Sequence, residues 1–584
     1  MLQLSYDLGS LEEIDDCLQD AELKRHAARH RATLVQFFAS RVDAGSIPDL
    51  HRKVTEYLPQ AIVTGITTAG EIHEGESMLR RTVVVFSFFE TAELQLLSYT
   101  CCPGQEQSVG RKLTDDILKE KSAAPIKGIQ LYATTQRINA AGLLENMKRR
   151  LGPTFPVFGA GASSYDNNGE ACVFAGEQGY EDGVVAVVFR GRELEIEAYP
   201  CLGWEPLSRA MTVTETESPM LVRTLDGVPA ASVYEKYLGI QNDENFFNHM
   251  LEFPLMLSRD GAVLARVPML RRSNGSLQLV ADVYEGEEVR ITYGNPKHII
   301  AAAYDMQKKL ARFRPQGVLV FSCYCRQVYL KDGLNLETAG FRDIAPSAGF
   351  YTYGEFYGRG EDLALHNATM VAVGMREGAV SDMPSKPVQD QVSFVESPPM
   401  EMKARLARFV GVVVEELEQA NRELKELMQT DGLTGIYNRR KMDELLGDIF
   451  AFGEPGLPCS IVLLDIDWFK RINDTHGHLC GDEVLKRTAS ILRKHVRGKG
   501  EAGRWGGEEF LLLLPDTTSA AAEAFAERIR IEMEQTDFGE AARVTASFGV
   551  TTSIPGEAIR QLFKRADEAL YSAKRAGRNR VVLH

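Results

Sequence analysis

The sequence predicts a multidomain chain of mixed α/β and α+β class. Three observations point there. The chain has 584 residues, several times the roughly 100–200 residues of one domain. Short β-branched and aromatic runs alternate with amphipathic segments over its first two-thirds. A polar, proline-bearing stretch then divides that region from a heptad stripe and a last segment of different pattern.

Residues 1 to about 30 turn from acidic to a His/Arg-rich helical pattern (AELKRHAARHRA) and are expected to form an appended helix. From ATLVQFFAS onward, QAIVTGITT, RTVVVFSFF, GVVAVVFRG, GVLVFSC and NATMVAVGM have the composition of strands. LHRKVTEYL and AAGLLENMKRRLG carry the helical period between them, so an α/β region is expected to end near Glu377. Residues 378–400, containing AVSDMPSKPVQDQVSFVESPPM, are too poor in apolar side chains to fold alone and are expected to be a linker. Leu406, Val410, Val413, Leu417, Ala420, Leu424 and Leu427 then recur at spacings of four and three, a heptad seam. The seam predicts a parallel dimerising helix over 401–429, the other reading being a single amphipathic helix packed on its own chain.

Hydrophobic residues make up 44% and charged residues 25%, which is ordinary globular composition. No run reaches the ~18 apolar residues that span a bilayer. The start is acidic where a signal peptide is basic, so a cytoplasmic protein is expected. The formal charge of −15 argues against broad contact with nucleic acid, which needs a basic surface. A nucleotide held by a few residues and Mg²⁺ is compatible with it. Nine cysteines, among them Cys101, Cys102, Cys323 and Cys325, form no C-x-x-C zinc pattern and are expected to be reduced, buried thiols.

In the last segment, SIVLLDIDWFKRINDTHGHLCGDEVL begins as an apolar strand ending in Asp465 and Asp467, which alternation places on one face. RWGGEEFLLLLP has the pattern of a hairpin, with Gly506 and Gly507 as the turn pair and Glu508 and Glu509 at the start of the returning strand. Carboxylates from two adjacent strands, with a backbone carbonyl nearby, suit Mg²⁺, which binds through few protein oxygens plus substrate phosphates. Two such ions serve phosphoryl transfer.

RWGGEEF, with DGLTGIYNRR, DIDWFKRINDTHGH, GDEVL, ASFGV and ADEALYSAKRAGRNRV in order, closely resembles the GGDEF/GGEEF diguanylate cyclases over residues 430–584. The resemblance implies a ferredoxin-like palm of nucleotide-cyclase type and the condensation of two GTP into cyclic di-GMP and two pyrophosphates. It implies Asp465, Glu508 and the Ile466 carbonyl as ligands of Mg²⁺, or of Mn²⁺ in its place. Asn473 and Asp482 would read guanine, while Lys574, Arg578 and the backbone N–H groups of Trp468 and Phe469 would hold phosphates. Gly506 and Gly507 would let phosphate and ribose approach the backbone. Glu509 would assist a second metal or take the 3′-hydroxyl proton. Each residue has a plainer reading: Asp467 as a helix N-cap, Asn473 as a helix-end residue, Lys574 and Arg578 as cations suiting a helix C-terminus. One palm presents one nucleotide, so a homodimer is expected. The resemblance also carries a product-binding R-x-x-D site, whose Arg would be Arg497 and whose Asp position is Gly500, so weak or absent product inhibition is expected.

IVTGITTAGEI, FPVFGAGASSYDNNGEACVF, VVAVVFRGRELEIEAYPCLGWEPL, GVPAASVYEKYLG, VLVFSCYCRQ and SAGFYTYGEFYGRGEDLALHNATM look like the FIST sensory module, its N-terminal half over 31–235 and its C-terminal half over 236–377. The resemblance implies a small-ligand sensor, with amino acids as the expected class. Thr67, Thr68, Glu71, Arg326, Tyr353, Glu355, His366 and Asn367 are the candidate pocket residues. Arg326 would take a ligand carboxylate and Glu355 an amine, the plainer reading being that they cap turns and pair with each other. A ligand-regulated diguanylate cyclase is thus expected. The alternative is a non-catalytic GTP- or cyclic di-GMP-binding module coupled to the same sensor.

Overall fold

The computed structural model describes residues 1–120, 122–164, 171–379, 388, 400–452 and 457–584. Most of the expected linker lies outside the described residues. The chain divides into two compact units, Met1–Val412 and Val413–His584. Among the described residues no helix is long and apolar enough to cross a membrane.

The first unit is built on three six-stranded sheets and one nine-stranded sheet. The strand runs recognised in the sequence lie in the interiors of these sheets; Thr82–Phe89 and Gly183–Arg190 are buried along their whole length. Continuous apolar runs of this kind suit strands covered on both faces. Three parallel pairs recur: Ala32–Ala39 beside Ala61–Thr67, Ile126–Ala133 beside Val157–Gly161, and Gly317–Cys323 beside Ser347–Thr352.

One expectation is corrected here. Residues 1–30 are not an appended helix. Leu2–Leu8 is an edge strand, antiparallel to Thr82–Phe89 with Leu2 opposite Phe88, and only short helices follow at Ile14–Leu18 and Ala21–Ala27. The signal was the alternation of Leu2, Leu4, Tyr6 and Leu8, which has the strand period of two. Strands of 31–235 and 236–377 pair with one another. Leu194–Cys201 pairs with Met370–Glu377, Glu71–His73 with Ser347–Thr352, and Glu355–Gly358 with Val157–Gly161. A strand's backbone valences are satisfied by whichever edge is adjacent in space, and that adjacency is not written in the local pattern.

The helix Met400–Gln429 divides the heptad stripe. Its first turns bury Met402 and Phe409, with Leu406 packed beside them, in a core of the first unit. From Val410, 59% exposed, through Val413, Val414, Leu417 and Leu424 the apolar stripe stands in solvent. The reading of a helix packed on its own chain holds for these first turns. The side chain of Leu427 lies outside the described residues.

The second unit carries one six-stranded sheet. Ser460–Ile466 is central, antiparallel to Glu509–Leu514 on one side and to Ala546–Thr552 on the other. Helices His478–Val496 and Ser519–Gln535 bury apolar faces with Val462, Leu464, Phe510 and Phe548 on one side of the sheet. On the other side, Ile461, Leu463, Leu511 and Leu513 meet Leu562, Ala566 and Leu570 of Ile559–Arg575.

Candidate functional site

In the second unit the site lies where the central strand meets the hairpin. Asp465 is directly opposite Glu509 across the antiparallel pair, and the Ile466 N–H donates to the Glu508 carbonyl at 3.3 Å. The hairpin differs by one residue from expectation. Gly506 ends its strand opposite Glu509, so the turn pair is Gly507 and Glu508. Gly507 adopts φ +42°, a region that disfavours a Cβ. A Cβ there would meet nothing within 4 Å, so the turn faces open space. The Arg504 guanidinium donates to the Gly507 carbonyl at 2.7 Å and reaches Asp431 at 3.2 Å. Asn438 donates to the carbonyls of Met428 and Thr430. The end of the connecting helix is thereby tied to the acidic turn.

The Asp465 carboxyl is nearly buried, and that burial pushes its pKa up, with Glu508 and Glu509 pushing the same way and Lys574 opposing. The Lys574 ammonium sits 2.7 Å from its Oδ2. The Arg578 guanidinium lies 3.8 Å over the ring of Trp468, a cation–π contact. Trp468, at φ +60°, immediately precedes the helix Phe469–His476. On that helix, the Asn473 side chain lies against Gly481, where a Cβ would come within 1.9 Å of its Oδ1. Glycine at 481 therefore lets Asn473 approach the helix His478–Val496, beside Asp482.

Asp467 is neither an N-cap nor at the acidic rim. It accepts from Thr545 Oγ1 at 2.8 Å, Ser547 Oγ at 2.7 Å and the Asn579 N–H at 3.0 Å. Its valences are filled by the neighbouring strand and the C-terminal turn. Arg497 is an exposed cation just past a helix end. A Cβ on Gly500 would lie 2.2 Å from the Leu513 carbonyl, so no carboxylate fits there without a backbone shift.

In the first unit the expected pocket residues fall into small groups. Arg326 is fully buried. Its guanidinium pairs with Glu337 and donates to the carbonyls of Leu202 at 2.6 Å and Ala368 at 2.8 Å. Thr68 donates to Glu71 at 2.5 Å, and burial raises the Glu71 pKa to about 7. Glu355 is fully buried, with its pKa pushed well above the carboxylate range, and stands opposite His366. Burial lowers the His366 pKa to about 4, so its ring is neutral at pH 7. Tyr353 and Asn367 line a cavity, with Thr135, Cys323 and Tyr324 among its other walls.

A central antiparallel sheet with an acidic hairpin at its rim defines a nucleotide-cyclase-type palm, here joined by a helix to an α/β body. Residues 428–580 match the family described as diguanylate cyclase, GGDEF domain, residues 33–228 the FIST N domain and residues 230–358 the FIST C domain. The chain thus carries a GGDEF domain preceded by FIST N and FIST C domains. It is 39% identical over 219 residues to the response regulator PleD of Caulobacter vibrioides, covering 35% of this chain and 45% of PleD. It is 41% identical over 158 residues to the diguanylate cyclase VdcA of Vibrio cholerae, covering 26% of this chain and 46% of VdcA. The chain spans less than half the length of these curated relatives. The solved coiled coil and GGDEF domain of DgcB from Caulobacter crescentus, in complex with c-di-GMP, is 33% identical. The match covers 32% of this chain and all of that one, with a TM-score of 0.30.

Proposed function

We propose that the palm condenses two GTP molecules into cyclic di-GMP and two pyrophosphates between the palms of two chains, under control of a small ligand in the FIST region. The observation that carries this reading is the rim itself: Asp465 opposite Glu509, with Glu508 held against Ile466 by its backbone. Lys574 stands 2.7 Å from Asp465, whose pKa is raised by burial with lesser contributions from Glu508 and Glu509.

The donor set fits a hard divalent cation, for which Asp465, Glu508 and the Ile466 carbonyl would be the ligands. Bound Mg²⁺ would supply Lewis-acid polarisation of the α-phosphate and activation of the attacking hydroxyl. Lys574, released from Asp465, and Arg578, held over Trp468, would take the β- and γ-phosphates. Asn473 and Asp482 would read the guanine edge. Each 3′-oxygen bonds the α-phosphorus of the other nucleotide, the bond to the bridging oxygen breaks, pyrophosphate leaves, and the hydroxyl proton passes to Glu509 or water. In-line attack needs two facing palms. The solvent-exposed stripe Val410–Leu424 is the surface that would assemble them, as a parallel coiled coil. With no carboxylate at Gly500, product should bind weakly at Arg497.

Incubating the purified chain with GTP and Mg²⁺ and resolving the products by mass tests the reading. Cyclic di-GMP is the expected product; bound but unconverted GTP would favour a non-catalytic module in which Lys574 stays on Asp465.

A further inference from the structure

The first unit carries a cavity of about 680 Å³, within the roughly 300–1,000 Å³ of small-molecule sites. It lies at the carboxyl ends of parallel strands. Thr135 follows Ile126–Ala133, Cys323 ends Gly317–Cys323, and Tyr353 follows Ser347–Thr352; all three line the cavity. Ligands bind open α/β sheets at this end of the strands. The lining is graded. Leu251, Val267, Leu279, Cys323 and Cys325 are buried and belong to one apolar core. Gln136 and Arg272 are exposed, so they stand at the mouth.

The mouth offers one charge. Among the described residues the lining holds no carboxylate and no lysine, and Arg272 is its charged side chain. The Arg272 guanidinium donates to Gln278 Oε1 at 3.3 Å, and Gln278 lines the same cavity, which sets the cation against the cavity wall. A long hydrogen bond to a neutral amide gives way readily to a charge-assisted one. Glu217, whose carboxylate feels Arg272 at longer range, already accepts from Asn274 and Ser276. Deeper in, the Tyr353 hydroxyl donates to the Ser164 carbonyl at 2.8 Å. The polar ends of Thr135 and Asn367 lie against Gly161 and Gly354, out of reach of solvent. The accessible interior is therefore apolar, with its cation at the rim.

We infer that this cavity binds a monocarboxylate with an apolar tail, the tail among Leu251, Val267 and Leu279 and the carboxylate on Arg272. Burial of the tail supplies the affinity, about fourfold per methylene. The carboxylate accepts two parallel hydrogen bonds from the guanidinium and displaces Gln278. An α-amino group is disfavoured, because its ammonium would stand beside Arg272 with no carboxylate of the described lining to receive it. The ligand class is thus a carboxylic acid without the amine of an amino acid. Leu251, Val267 and Leu279 share their core with Met402 and Phe409 of the connecting helix. Tyr329, on the helix that carries Cys325, donates to Met402 Sδ at 3.4 Å. Filling the cavity therefore bears on the base of the connecting helix. The inference rests on the ligand control proposed above for this consequence alone, not for binding.

The test is calorimetry on the full chain with hexanoate, octanoate, decanoate, octanol, octylamine and 2-aminooctanoate, with cyclic di-GMP formation followed in parallel. Affinity should climb about fourfold per methylene from hexanoate to decanoate, a slope read on the native chain without any variant. Octylamine and 2-aminooctanoate should bind about tenfold more weakly than octanoate or worse. Arg272→Gln, at an exposed position, should weaken octanoate about fivefold or more and leave octanol unchanged. Met269→Trp, at a half-buried position of the lining, should narrow the cavity and weaken octanoate and octanol alike. No octanoate binding at about millimolar concentration, a flat chain-length series, octylamine or 2-aminooctanoate binding as tightly as octanoate, or an Arg272→Gln chain with native octanoate affinity would overturn the inference. Octanoate binding without any change in cyclase rate would leave it standing and sink the ligand control instead.

Discussion

The two units treat a buried charge in opposite ways. In the palm, Asp465 is nearly buried, yet its counter-charge is a single lysine ammonium at 2.7 Å on a flexible stem, with Glu508 and Glu509 nearby. In the FIST region, Arg326 and Glu337 are both fully buried, and further donors of the arginine end on backbone carbonyls. The first arrangement has a replaceable partner, and the second has none. A fully buried ion pair whose cation is held by a carboxylate and backbone carbonyls is structural, because breaking it strands a charge. A carboxylate short of positive charge can exchange lysine for a metal ion. Charge in a promising segment therefore marks a site only when its partner is replaceable.

The sharpest way to break this comparison is at the rim. Asp465→Asn or Glu508→Gln should cut cyclic di-GMP synthesis about a thousandfold or more, since a lost metal ligand removes several kcal/mol of transition-state stabilisation. The melting temperature of the palm should hold. Full activity in either variant would refute the metal assignment.

Asp467 makes the opposite claim two residues away. Its three hydrogen bonds join the central strand to the C-terminal turn, so Asp467→Ala should destabilise the palm by about 2–4 kcal/mol in urea unfolding. An unchanged midpoint with activity lost would return Asp467 to the catalytic set.

Glu71 tests the first unit. Its pKa is raised from 4.5 to about 7 by burial, so the folded state binds the proton more tightly than the unfolded chain. Its contribution is at its best below the unfolded pKa and falls as pH rises through about 7. The loss is on the order of 3 kcal/mol. Measured from pH 5 to 8, the stability of Glu71→Gln relative to the native chain should climb as pH rises. A pH-independent difference would count against the buried acid.

The subtlest effect concerns the connecting helix, whose end is tied to the acidic turn through Asp431, Arg504 and Gly507. Deleting Val413 to Gln419 keeps the heptad register, whereas deleting four residues rotates the palm by ~40° on an ideal helix. The four-residue deletion should lower the cyclase rate more. Equal rates would show that rotational phase does not matter.

The palm's candidate residues were legible because they lie in short contiguous motifs. DIDWF and RWGGEEF each carry strand, turn and carboxylate together, and one antiparallel register brings them opposite. Even there, local pattern misjudged the turn by one residue and took Asp467 for a cap or a ligand. Its partners Ser547 and Asn579 are remote in sequence.

For the FIST region, composition and period determined the strands and the α/β class. The opening alternation of Leu2, Leu4, Tyr6 and Leu8 also held its strand, although the charge pattern after it suggested a helix. Tertiary structure alone decided that Leu194–Cys201 completes a sheet with Met370–Glu377, that Arg326 is consumed inside the core, and that Thr135 and Asn367 meet at one cavity. Periodicity records which face of an element is apolar, a property of neighbours along the chain. Pairing and cavity formation depend on which elements are adjacent in space, and residues 232 positions apart share no local signal of that.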